Sequence, residues 1–273
     1  MIRTRKTIIV LSMFTAAIML MTTTGCKKDS ATTEPAKTTT YDLKAKDVLG
    51  VTGKVTFTET SSTTTTVSIV LTSASAEAHP ADLCTGPAVE GGGIHRILTP
   101  VDASGKSSTI VDIPYNTLIA FDGYIKVLKS TTEPTVVIAL GDIGGNVITT
   151  TNKTYTLTTV GSSGVSGTAK FEKRVNGNTL VTLSVTGVVP GHYPATINLG
   201  SIASIGGGPV KKLLTSIDVI SGTTGSSFTN IRTLDDLTPI TYDNWLVYDG
   251  YLNVYQTLVS NDNIICHGNI GSN

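Results

Sequence analysis

The chain has 273 residues and carries 20 basic and 20 acidic side chains, a formal net charge of zero. Charged residues make up 15%, well below the usual quarter of a globular domain, and no basic stripe marks a nucleic-acid partner. Thr, Ser, Gly and Val take their place, a β-rich composition of extracellular type.

The first predicted element is a targeting segment. Arg3, Arg5 and Lys6 precede an apolar stretch from Ile8 to Met21, too short for a firm membrane span. "TTTGC" follows and ends at Cys26. This order resembles a bacterial lipoprotein leader, with Thr where that class more often has Leu. The resemblance implies cleavage before Cys26 and acyl chains on its sulfur, so that the membrane becomes a partner through lipid. "CKKDS" is similar to the start of Bacteroidota lipoproteins, which implies a place in the cell envelope, outer-membrane-anchored, periplasmic or at the surface. "DSA" (29–31) resembles that phylum's O-glycosylation sequon, with Ser30 as acceptor. Residues 1–25 are thus read as a signal peptide. Residues 26–46 are read as a disordered tether, because Thr, Lys, Ala and Pro bury too little surface to offset ordering entropy.

Beyond the tether, short β-branched blocks recur: "KVTFTET", "TTVSIVLT", "STIVDI", "TVVIALG", "TLVTLSVTG". Gly, Pro, Asn and Ser clusters separate them. No stretch keeps a helical period between caps, and only "IRTLDDL" (231–237) suggests a helical turn. The pattern predicts an all-β sandwich or closed barrel.

The blocks come twice. "FDGYIKVLKS" (121–130) returns as "YDGYLNVYQT" (248–257), and "GDIGGN" returns as "GNIGSN" at Asn273. Asp122 corresponds to Asp249 and Gly141 to Gly268 without a gap. Upstream, "VTGKVTFTET" (51–60) resembles "VSGTAKFEKR" (165–174). Two domain-sized copies are expected, over 47–148 and 152–273, with an insertion near 235–245 in the second.

Within each copy a loop with Pro-Ala, a Gly-rich stretch, "DGY" and "GDIG" or "GNIG" follow in one order. That order resembles the CHRD and Cu,Zn superoxide dismutase-like domains of secreted bacterial proteins. The resemblance implies tandem Greek-key β-sandwiches of about eight strands each. It also implies where metal ligands would stand. The paired His positions fall on Asp82 and Cys84, and on Thr196 and Asn198. The later strand His falls on Leu128 and Tyr255. Leu128 ligates nothing, and Thr, Asn and Tyr are poor copper ligands. The family's disulfide positions hold Ala88 and Leu140, then Ile202 and His267. No cofactor is therefore expected, and Cys84 and Cys266 are left as one thiol per copy, either buried and free or bridged between copies.

Two readings of function follow. The first is a non-catalytic binding or structural lipoprotein. Its partner, a protein or glycan, would meet Tyr242, Trp245, Tyr248 and Tyr251, aromatics with polar tips beside the insertion. The second is a metal-binding protein or metalloenzyme using His79, Asp82 and Cys84, with His95 as a fourth ligand. No nucleophile elbow, HExxH or phosphate loop is present; Gly105-Lys106-Ser107 lacks the loop's first Gly and reads as a turn.

Overall fold

The computed structural model describes residues 35–204, 207–257 and 263–273. Cys26, Ser30 and the whole signal peptide lie outside the described residues.

Sixteen strands form two antiparallel sheets in succession along the chain. The first holds β1 (Thr38–Ala45), β2 (Thr52–Glu59), β3 (Thr65–Thr72), β4 (His79–Thr85), β5 (Ile94–Val101), β6 (Lys106–Val111), β7 (Gly123–Leu128) and β8 (Val137–Ile143). The second holds β9 (Ile148–Thr159), β10 (Ser166–Arg174), β11 (Thr179–Thr186), β12 (Gly191–Leu199), β13 (Val210–Val219), β14 (Thr224–Ile231), β15 (Asp249–Tyr255) and β16 (Ile264–Gly271). The spatial order is β5-β4-β7-β8-β1-β2-β3-β6 in the first sheet and β13-β12-β15-β16-β9-β10-β11-β14 in the second, the same path twice.

Alternation explains the strands. In β3 every second residue (Thr65, Val67, Ile69, Leu71) is buried while its neighbours face outward. Each sheet wraps such rows around its own core. Phe57, Leu83 and Ile125 fill the first; Phe171, Ile197 and Trp245 fill the second. Each sheet curls until its end strands meet at a seam without a ladder. Hydroxyls close that seam. The Thr99 amide donates to Thr109 Oγ1 at 2.8 Å, and the Thr215 amide donates to Thr229 Oγ1 at 2.9 Å.

The echoed glycines have a steric cause. A side chain at Gly141 would place its Cβ 2.1 Å from the Asp42 carbonyl oxygen, and one at Gly268 would lie 2.2 Å from that of Thr156. β8 and β16 can close against β1 and β9 only with a bare backbone there. Gly144 (φ 56) and Gly271 (φ 70) then take left-handed turns against the carbonyls of Phe121 and Tyr248.

Three expectations need correction. The predicted tether, 26–46, contains β1, which pairs with β2 and β8. "TTTYDLKA" looks polar, but its alternation turns Tyr41 and Leu43 inward, and Leu43 is fully buried. The predicted boundary between 148 and 152 falls inside β9, which runs straight out of a 3-10 turn at Gly144–Asn146. Residues 231–237 form no helical turn. Thr233 bridges Pro239, and Leu237 sits at φ 67 between them. The helical turns lie instead at α1 (Tyr115–Leu118) and α2 (Tyr242–Trp245), at equivalent points of the two sheets.

Residues Ala36–Asn273 form one compact unit. The β10–β11 turn grips the end of the first sheet: the Val175 amide donates to the Val147 carbonyl and the Asn176 amide to that of Gly145, each at 2.9 Å. Asn176 Nδ2 donates to Asp122 Oδ1 at 3.0 Å. Arg174, fully buried, donates to Asp142 Oδ2 at 2.8 Å and to the Asn146 carbonyl.

Candidate functional site

The four aromatics do not make a contact surface. The hydroxyl of Thr241 accepts from the Asn244 amide, and the Asn244 side chain accepts from the Thr241 amide, a capping box that starts α2. This single turn points Tyr242 and Trp245 into the second core, at 2% and 0% exposure. Trp245 packs edge-on against Phe171, with centroids 5.8 Å apart, and against Tyr248 at 4.8 Å. Tyr251, on the outer side of β15, is covered by the Gly-rich loop, whose Gly208 amide donates to its hydroxyl at 2.8 Å. The first sheet places Tyr115, Leu118, Phe121 and Tyr124 alike: in both sheets the first three pack in or against the core, and the fourth lies buried on the outer side of its strand.

His79, Asp82 and Cys84 lie along β4 but do not converge. His79 sits at the strand's start, roughly 16 Å of extended chain from Cys84. Its ring is buried, with Nδ1 2.5 Å from the Lys129 carbonyl oxygen and Nε2 3.2 Å from that of Ser75. Asp82 and Cys84 share the outer face. Asp82 pairs with Lys126 at 3.5 Å, so a cation already fills the place a metal would take. Cys84 lies against Tyr124. Burial pushes the thiol up, and burial together with that thiol pushes the Tyr124 hydroxyl up to about 12. His95 stacks on Phe121 at 4.8 Å. Among the described residues no three His, Cys, Asp or Glu side chains are grouped to hold a metal ion. Cys84 and Cys266 are both free and buried, so no bridge joins the two sheets.

The corresponding face of the second sheet is neutral. Register sets Thr196 opposite Asn253, and Asn198 opposite Tyr251. Tyr255 reaches back so that its hydroxyl lies 3.1 Å from Thr196 Oγ1 and accepts from Asn253 Nδ2 at 3.1 Å. The amide oxygens of Asn198 and Asn253 are buried without a partner. His267 stands opposite Asn253, and desolvation holds its ring below the ordinary histidine range. His192, which the repeat aligns with His79, is instead exposed and paired with Asp218.

Copper or zinc, which the family resemblance implies, does not fit these residues. One face offers an occupied ion pair and a thiol beside a phenol. The other offers amides and hydroxyls. Lys126 and Asn253, which decide both cases, escape a reading of the His positions alone. They stand on the neighbouring strand, where only register reveals them. No family model matches the chain, and neither does any curated protein or solved structure.

Proposed function

We propose that the chain is a lipid-anchored envelope protein whose two β-sheets are Greek-key, dismutase-like domains serving binding or structure rather than redox catalysis. One observation carries this reading: the positions where the family holds metal are filled by Asp82–Lys126 and Cys84–Tyr124 in one sheet and by neutral Thr, Asn and Tyr in the other. The shared strand order supports the Greek-key part. β4, β5 and β6 follow one another, with β5 and β6 meeting across the seam, and β7 returns to lie beside β4; β12 to β15 repeat the move. The leader and Cys26 support the anchor.

The anchor is tested by detergent-phase partitioning and metabolic labelling with radioactive palmitate. The wild-type chain is expected to carry label and enter the detergent phase, and Cys26→Ser to do neither. A wild-type chain secreted without lipid would sink the anchored reading.

A further inference from the structure

The outer face of the second sheet carries a groove of about 860 Å³. Register builds its floor. Thr156, Thr168, Ser184 and Ser226 stand opposite one another across β9, β10, β11 and β14, an unbroken row of hydroxyls. Ser166, Thr186 and Thr224 form the next row.

The first sheet serves as an internal control. Its equivalent row is Asp42, Lys54, Val70 and Lys106. There Lys54 donates to Asp42 at 2.6 Å, and Thr52 and Thr72 pair at 2.7 Å. The groove in that position holds about 430 Å³, half as much. Among the described residues no such side-chain pair crosses the hydroxyl rows of the second sheet, so those groups are free to meet a ligand.

At Asp218 and Ser226 the groove meets a second cleft of about 390 Å³. This cleft lies over the seam between β13 and β14, and Val89 and Leu140 of the first sheet form its far wall. One feature there points to a ligand: Phe228, on the outward side of β14, is 48% exposed. Charge is confined to the margins, with Lys46 in the cleft and Asp218 at the junction, the latter paired with His192.

The structure assigns this joined groove to an uncharged, polyhydroxylated chain, that is, a neutral oligosaccharide. Serine and threonine hydroxyls both donate and accept, so they match sugar hydroxyls in either sense. The Phe228 ring offers an apolar face to sugar C–H groups. An anionic polymer entering the hydroxyl floor would shed hydration with no fixed cation there to replace it. The assignment rests on the binding reading above and gives it a ligand class and a place, away from the buried aromatics.

The test is titration calorimetry on the full chain in a sugar-free detergent, with maltohexaose, cellohexaose, xylohexaose and mannohexaose as probes and polygalacturonate as the anionic control. At least one neutral hexasaccharide is expected to saturate at one per chain. The double variant Thr168→Lys/Ser184→Val, which installs the first sheet's residues, is expected to weaken it about tenfold or more, and Phe228→Ala likewise. All three side chains face outward, and unchanged thermal melting would confirm that folding is intact. Heat from none of the neutral probes, or from polygalacturonate alone, overturns the assignment. Saturable binding that ignores both variants also overturns it, yet leaves the general binding reading standing.

Discussion

Arg174 has no solvent exposure, and only part of its guanidinium is satisfied: Nη1 serves Asp142 and the Asn146 carbonyl, while Nε and Nη2 have no partner. Removing one member of such a pair strands the other charge. Arg174→Ala is expected to cost about 3–5 kcal/mol in denaturant unfolding. Arg174→Met combined with Asp142→Asn, which removes both charges and keeps the volume, is expected to cost far less. Equal losses would show that the pair does not tie the sheets together. The thiols give a second test. Burial raises Cys266 from 9.0 to about 12, and Tyr124 rises from 10.0 to about 12. Both groups hold their protons longer when folded. Their stabilisation is complete below the unfolded values and is lost as pH climbs through the folded ones. Stability should therefore decline from pH 9 upward, and native Cys84 and Cys266 should resist alkylation at neutral pH, as read by peptide mapping. Rapid native labelling of either would contradict their burial. None of this is legible in "KFEKR" or in an isolated cysteine: Arg174 is buried against the first sheet, and Cys266 sits in the core of its own sheet, where only the packing of neighbouring strands covers it.

At the scale of elements, α2 shows both how far the sequence carries and where it stops. The cluster of Tyr242, Trp245, Tyr248 and Tyr251 is conspicuous, and the repeat marks it as a variation on 115–124. Its direction is set by a four-residue helix too short to leave a period, so core and surface look alike until Thr241 and Asn244 fix the turn. Trp245 is the only tryptophan. Its emission should be blue-shifted and insensitive to iodide. Trp245→Ala should cost about 3–5 kcal/mol in unfolding, as large buried side chains do. A fully quenched, red-shifted Trp245 with unaltered stability on substitution would restore these aromatics to the surface. Strands such as β3 and β6 were easier to read, since their residues alternate between the two faces. β1 escaped because its inward pair, Tyr41 and Leu43, sits among threonines that offer no apolar run.

At the scale of the molecule, the doubled order of glycines and turns announces two sheets of one design. The structure supplies identical strand paths, with Gly141 and Gly268 closing each sheet at the same point. What the sequence does not disclose is how the junction is built. β9 continues out of the first sheet without a linker, and the β10–β11 turn folds back on it. Nor does it disclose the outer faces, where cross-strand neighbours set an ion pair in one sheet and amides in the other. Those faces decide the functional reading, and elemental mass spectrometry of the full-length chain, equilibrated with zinc and copper and then desalted, examines them both. Asp82 held by Lys126, and neutral Thr196, Asn198 and Asn253, predict well under one equivalent of metal per chain. A stoichiometric ion, retained through desalting and lost in Cys84→Ala or Asn253→Ala, would contradict that prediction and return the protein to metal chemistry.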